Sequence, residues 1–441
     1  MKKALGILGA ILLLTSQANA GDLINKHLPS YVKADVQVRY RLESKEDFDF
    51  NDSREDTDVY HLLRTRLGLN YAPVKQVEAY VQMQDSRVFD MQDYAESTVA
   101  HYMDLRQLYI SLKDLLEPQG ILPHTKITFG RQSLHLGAGR LVGDPDWSNI
   151  GQTFDAGRVG FLWDDLKLKV DLFGGNFTAN KSPREGNDLY DRSTRDTAGG
   201  YYASWDVDKK LSVEQYLISR KTNKNVSFGP SGSGEVDEYT AGGRIVAKEL
   251  KGFDYEVEMA GQWGDFNDQN VSAMMGIALI GYTFNIPWKP RLGFEYDYAS
   301  GDTDPTDGTR HTFDNLWPAN HMFYGYMDLA ALQNLNDYRF SLSINPSQKL
   351  KMTADLHMMY VDTPKDSLYA ANRSAARTAT AGLSQVNAHA GNEIDVWASY
   401  KICPYASLAL GYSHFFAGQY LADTGANDDA DFAYTALTFN F

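Results

Sequence analysis

Val32, Ala34, Val36, Val38, Tyr40 and Leu42 alternate with Lys33, Asp35, Gln37, Arg39, Arg41 and Glu43. Successive side chains of a strand point to opposite faces, so this segment has one apolar and one charged face. The same period of two runs through Leu166 to Leu172, Phe253 to Met259 and Leu292 to Tyr298. Eighteen such segments are read, near 32–43, 58–71, 75–86, 102–112, 125–132, 156–163, 166–175, 198–206, 211–221, 238–248, 252–264, 272–284, 290–299, 336–345, 348–361, 391–402, 404–416 and 431–441. A soluble sandwich alternates in the same way, so length and spacing decide. Many segments reach about ten residues, enough for a tilted strand to cross a hydrocarbon core. Short connections such as 164–165, 207–210 and 346–347 are interspersed with long ones at 133–155, 176–197, 222–237, 300–335, 362–390 and 417–430. Short turns at one end and long loops at the other point to an all-β, antiparallel, up-and-down transmembrane barrel of about 18 strands. Closure pairs every backbone group and leaves no edge. An even count puts both termini at the short-turn end, expected to be periplasmic.

This reading replaces the two or three soluble domains that 441 residues would otherwise suggest. The mean hydropathy of −0.41 is too polar for a helical membrane bundle, which needs repeated apolar runs of about 20 residues. Alternation between lipid-facing and lumen-facing residues produces such a value. One apolar run exists, at 4–14, after Lys2 and Lys3 and before Ala18, Asn19 and Ala20. That is the order of a secretory signal peptide, so residues 1–20 are expected to be removed and 21–441 to form the barrel. Loss of the two lysines takes the formal charge from −15 to −17. An acidic chain of this kind is no general nucleic-acid binder. The single Cys403 excludes an internal disulfide framework.

The last strand ends on Phe441, with Ala433, Thr435, Leu437 and Phe439 on the same face. A terminal Phe of this kind resembles the signal that outer-membrane proteins present to the barrel assembly machinery. Tyr40, Tyr71, Phe173, Trp263, Trp288, Tyr360 and Phe416 lie where interfacial aromatic girdles are expected, against lipid and lipopolysaccharide.

With the apolar face on lipid, the charged face lines the lumen. An unpaired charge in a dry interior is prohibitively costly, so the lumen is either wet or knitted by ion pairs. Arg39, Arg41, Arg64 and Arg66 form a basic wall on the first two strands, and Arg158, Lys167 and Lys169 extend it. Guanidinium forks grip carboxylates in bidentate fashion, which suits an acidic sugar. The alternative is that these arginines pair with lumen acids such as Glu256, Glu295, Asp297, Asp355 and Asp395 and set pore size. Parity fails at Arg106, which shares a face with Leu108, and at Arg131, which shares one with Phe129; a bulge would re-aim either.

Catalytic signals are weak. Ser413 and His414 are adjacent and so face opposite ways on a strand, unlike a hydrolase dyad. Asp302, Asp304 and Asp307, and likewise Asp428, Asp429 and Asp431, read as solvated acidic loops before Ca²⁺ ligands. No cofactor or metal is called for.

Three stretches resemble the alginate export family of outer-membrane barrels. The first holds Gly130, Arg131 and Gln132, then Arg140 to Gly143, then Asp146, Trp147, Ser148 and Asn149, then Thr153, Phe154, Asp155 and Arg158. The second is Tyr298 to Asp302. The third runs from Thr312 through Trp317 and Pro318 to His321 and Asp328. The resemblance implies an 18-stranded barrel, and a lumen role for Arg131 and Arg158, which match motif arginines; the family's characterised member secretes alginate through an electropositive constriction. The residue before Thr153, often Arg in similar sequences, is Gln152 here, and the motifs sit closer to the broad family than to the dedicated alginate exporter. The apolar content of 300–335 requires burial: either the loop packs into or across the barrel mouth as a gate or constriction, or it forms a self-packed cap with no gating role. The expected function is passive passage of anionic or neutral saccharides, alginate-like polyuronate included, or other small polar solutes. A plugged barrel acting as a surface adhesin and, further off, an outer-membrane hydrolase are the alternatives.

Overall fold

Alternation builds one closed sheet. The computed structural model describes residues 24–51, 57–91, 99–115, 122–178, 193–378 and 385–441; the expected signal peptide and part of the 176–197 connection lie outside them. The strands are β1 (Val32–Glu46), β2 (Asp58–Val74), β3 (Val77–Phe89), β4 (His101–Lys113), β5 (His124–Gln132), β6 (Phe154–Trp163), β7 (Leu168–Thr178), β8 (Ser193–Asp206) and β9 (Leu211–Ser227). They continue as β10 (Ser233–Leu250), β11 (Phe253–Phe266), β12 (Gln269–Thr283), β13 (Arg291–Ala299), β14 (Leu335–Ile344), β15 (Leu350–Val361), β16 (His389–Cys403), β17 (Ala406–Ala417) and β18 (Ala430–Asn440). Each pairs antiparallel with its sequence neighbour, and β1 closes on β18 with Gln37 opposite Asn440. All eighteen expected segments are strands. The 222–237 connection is the one expected long loop that mostly vanishes: β9 and β10 extend through it, leaving 228–232 as the turn.

The outer face is apolar. Leu69, Leu108, Ile110, Phe129, Met259, Ile280, Leu292 and Val396 are all exposed, as a lipid-facing belt requires. Exposed aromatics gather near both strand ends. Tyr71, Trp205, Phe253 and Trp288 lie toward the short turns, and Phe89, Trp263 and Phe416 toward the long loops. Phe173 does not join them. It shares the inward face with Lys169 and Asp171 and is 7% exposed, so its place in the expected girdle is corrected.

Two loops fold into the barrel and fill the loop-side half of the lumen. Residues 133–153 contribute Leu134, Leu141 and Val142, and residues 300–334 contribute Phe313, Leu316, Trp317, Tyr324 and Leu332, all buried in one apolar cluster with Phe154, Tyr420 and Leu421. The loops join along a seam: Gly143 N–H donates to Trp317 C=O at 2.9 Å, Trp317 N–H to Leu141 C=O at 2.8 Å and Ala319 N–H to Gly139 C=O at 3.0 Å. Burying such side chains is worth roughly 1.5–3 kcal/mol each. Polar anchors to the barrel wall add to this core.

The register is testable from outside. Met259 lies mid-strand on β11, is 66% exposed and faces lipid. Met259→Arg is expected to destabilise the barrel by about 2–4 kcal/mol, read by urea unfolding in lipid vesicles. An unchanged midpoint contradicts the outward placement.

Candidate functional site

The polar anchors form two charged walls. On the first, β1 and β2 aim Arg39, Arg41, Arg64 and Arg66 inward, and all four are buried. Their partners are the 133–153 loop. Arg39 Nη1 donates to Asp146 C=O at 2.5 Å, and its Nη2 to the carbonyls of Trp147 and Ser148 at 3.0 and 3.1 Å. Arg41 donates to Trp147 C=O at 2.6 Å, and its guanidinium lies 3.7 Å over the Trp147 ring. Arg64 reaches Asp146 C=O, Ser148 C=O and the Asp146 carboxylate at 2.7–2.9 Å. Arg66 meets the same carboxylate at 3.0 Å. Gln84 and Ser86 on β3 hold the carbonyls of Ile150 and Asn149 at 2.7 and 2.6 Å.

Arg106 joins this wall through a bulge. Gln82 pairs with Gln107 and Met83 with Leu105, so Arg106 is the extra residue and swings inward. It is 3% exposed, and its Nη2 donates to both carboxylate oxygens of Asp144 at 2.8 Å. The wall thus opposes five guanidinium groups to Glu43, Asp144 and Asp146, which leaves it net basic. The enclosing protein pushes the Asp146 carboxyl up, but Arg64, Arg66 and Arg39 outweigh that and hold it at about 2.

The second wall is acidic. Glu295 and Asp297 on β13, Asp337 on β14, Asp355 on β15 and Asp395 on β16 are each at most 4% exposed. Arg339 bridges Asp355 and Glu295 at 3.1 and 3.3 Å, and His357 Nδ1 lies 2.6 Å from Asp337. The 133–153 loop supplies Arg140 here. It pairs with Glu295, lies 3.6 Å from Asp297, and stacks 3.9 Å from the Phe323 ring. The 300–334 loop adds Asp314 on Arg220 of β9 and Arg310 on Glu238 of β10. Burial pushes the Asp314 carboxyl up, but Arg220 dominates and holds it well below the usual range.

The other expected site residues are dispersed. Arg158 and Lys169 face the lumen but lie apart from the arginine wall, sharing Asp171 at 2.9 and 3.0 Å. Arg131 keeps its outward parity, opposite the exposed Leu108, and pairs with Asp155 at 2.8 Å on the outer side. No bulge displaces β5, so the expected lumen role for Arg131 is corrected. Lys167 is corrected too: it is exposed in the 164–167 turn, not on a strand. Its N–H donates to Asp164 C=O, which closes the turn two residues later than the alternation suggests. Sequence reading missed Asp144, Asp146 and Arg140 as wall partners. Gln152 ties the loops together, its Nε2 donating to Trp317 C=O at 2.8 Å. In the acidic loops, Asp302 accepts from Ser231, while Asp304 and Asp307 accept turn N–H groups of Thr306 and Thr309.

The alginate export family profile matches residues 30–434. No curated protein sequence matches the chain. Among solved structures from Pseudomonas aeruginosa, OpdO has a TM-score of 0.60 at 12% identity, covering 95% of this chain and 99% of that one. OpdQ has 0.60 at 11%, covering 93% and 97%. OpdK with vanillate has 0.59 at 10%, covering 93% and 98%. At such identities the likeness is one of fold.

The Asp146 contact predicts a pH response. A carboxyl depressed in the folded state stabilises above its unfolded value, near 4, and loses that contribution as pH falls through about 2. Asp146→Asn is therefore expected to loosen the 133–153 loop at neutral pH, whereas acidification to pH 4 leaves this anchor in place. Limited proteolysis of the refolded barrel at both pH values reads the difference. Equal resistance of variant and parent at pH 7 rules the anchor out.

Proposed function

The chain belongs to the alginate export family, and from that premise we propose that it is an outer-membrane channel for anionic or neutral saccharides, alginate-like polyuronates among them, or other small polar solutes. The observation that carries this reading is a closed 18-stranded barrel, a size that leaves an aqueous passage, whose lumen holds a net-basic arginine wall; the 133–153 loop takes up its guanidinium groups, so the wall favours anions through its net charge. Guanidinium groups suit carboxylates because the fork matches both oxygens, and a structural neighbour, OpdK, is described with the carboxylate vanillate. Family and fold support a channel rather than an enzyme. In the outer membrane the short turns and both termini would face the periplasm, the long loops the exterior, and Phe441 the assembly machinery, with the apolar belt against lipid and lipopolysaccharide.

A plugged barrel is the second reading, favoured by the buried core of the two inward loops. Planar bilayers separate the two. A channel gives ohmic steps with a measurable ion preference, and a permanent plug gives none.

Two variants refine the channel reading. Arg64→Gln with Arg66→Gln removes two positive charges from the basic wall, so the reversal potential in a salt gradient is expected to move toward cation preference. An unmoved potential refutes the basic wall as the selectivity element. Deleting 312–328 removes Phe313, Trp317 and Tyr324 from the plug and is expected to raise single-channel conductance at least twofold. Unchanged conductance shows that this loop does not restrict passage.

A further inference from the structure

The arginine wall is occupied by carbonyls and carboxylates of the chain's own loop, but a second basic region in the lumen is open. A cavity of about 660 Å³ lies along the inner faces of β4 to β7, toward the short-turn end. Its volume falls within the range of small-ligand sites, about 300–1,000 Å³. Lys113, Lys126, Arg158 and Lys169 line it, and two of these were not foreseen from the sequence. Lys113 and Lys126 face each other across β4 and β5 and share one carboxylate, Glu78, with Lys126 at 3.8 Å. Arg158 and Lys169 share another, Asp171. Each pair therefore keeps one uncompensated positive charge. The lysine side chains are 39–54% exposed, so a solute can reach their ammonium groups beside the carboxylates they share. The lining also holds Asp114 and Asp164, two carboxylates that flank the single His124 at the rim, so the positive excess is local to the two cation pairs.

Shape and surface add to the charge. The two cation pairs sit on adjacent hairpins, two strand spacings or roughly 10 Å apart. Gly160 faces inward between them, and a Cβ there would meet Asp171 Oδ1 at 3.0 Å, so the missing side chain keeps the floor open. Tyr109 forms one side, braced by Tyr80 with ring centres 5.4 Å apart. An aromatic ring beside two separated cationic pairs fits a sugar chain that carries carboxylates at intervals.

We propose that this cavity is a binding site for a short acidic oligosaccharide, with one carboxylate on Lys113 and Lys126 and a second on Arg158 and Lys169. The substrate class rests on the channel reading above; the site itself rests on the cavity and its cations. The probe is trigalacturonate, titrated calorimetrically into the full barrel in detergent, with galacturonate and the neutral maltotriose as comparisons. The parent is expected to bind trigalacturonate about tenfold more tightly than galacturonate and to bind maltotriose weakly. Lys126→Gln with Lys169→Gln, checked for retained sheet content by circular dichroism, is expected to weaken trigalacturonate at least tenfold. Lys126→Arg with Lys169→Arg keeps the charge and is expected to restore binding. No binding by the parent, equal binding of maltotriose, or an unaffected glutamine variant overturns the site. Conductance of the same preparation in bilayers tests the channel reading separately. A conducting barrel without trigalacturonate binding removes the site alone. Lysine-dependent binding in a barrel that never conducts removes the channel and keeps the site.

Discussion

Charge enclosed in a barrel that is surrounded by lipid has to be compensated from within. Water and the chain itself are the two sources, and this protein uses its own loops for the loop-side half. The walls differ in sign: arginines dominate β1, β2 and the bulge of β4, and carboxylates dominate β13 to β16. The loops differ to match. Asp144 and Asp146 meet the basic wall, while Arg140, four residues before Asp144, crosses to the acidic one. The 300–334 loop repeats the arrangement with Asp314 on Arg220 and Arg310 on Glu238. An insertion with these charges reversed would leave like charges facing each other in a dry interior, at a cost of several kcal/mol per ion. Wall charge thus fixes where each loop sits, and the apolar cluster of Trp317 and its neighbours fills the space that the ion pairs define.

The barrel was legible because its outer solvent is apolar. Lipid imposes alternation on every strand, and the eighteen segments carried that pattern openly. Two of the corrected residues, Phe173 and Arg131, keep the period of two, and one, Lys167, falls where a turn breaks it. Phe173 lies mid-strand in β7, and its parity with Lys169 and Asp171 places it inside whatever its residue type. Lys167 failed because a turn can absorb the first residues of an alternating run. Arg106 and Arg131 showed the same parity conflict, and only Arg106 is bulged, a difference that depends on its cross-strand partner and not on its own segment.

The loops were less legible. The apolar content of 300–335 requires burial, and of the two ways to provide it the structure shows the inward one. The 133–153 loop carries Leu134, Leu136, Leu141, Val142 and Ile150, the same signal, but diluted by Arg140, Asp144, Asp146 and four glycines. Ion pairs such as Arg140 with Glu295 link residues 155 positions apart, and nothing local to either one predicts them. The family motifs do have a common structural meaning. Arg140, Gly143 and Asp146 to Asn149 lie in one inward loop, Thr312 to Asp328 in the other, and the seam of Gly143 with Trp317 joins them. Barrels of the same fold share only 8–12% identity with this chain. Many sequences satisfy alternation; these two motif stretches lie in the plug, while Gly130 to Gln132, Phe154, Asp155 and Arg158 lie on the strands that flank the first loop.

Because the same arginines charge the lumen and hold a loop, the two effects must be separated by observable. Ion preference follows fixed charge, which changes by one unit for each guanidinium removed. Conductance follows the open cross-section, which depends on whether Asp146, Trp147 and Ser148 stay on the wall. Arg64 contributes to both, through the Asp146 carboxylate and two carbonyls. Asp146 acts in opposite directions on the two: its removal makes the wall more basic and at the same time frees the loop. A substitution at Asp146 and one at Arg64 therefore shift ion preference with opposite sign while loosening the same contact. That divergence distinguishes a wall that selects solutes from a wall that serves only as an anchor.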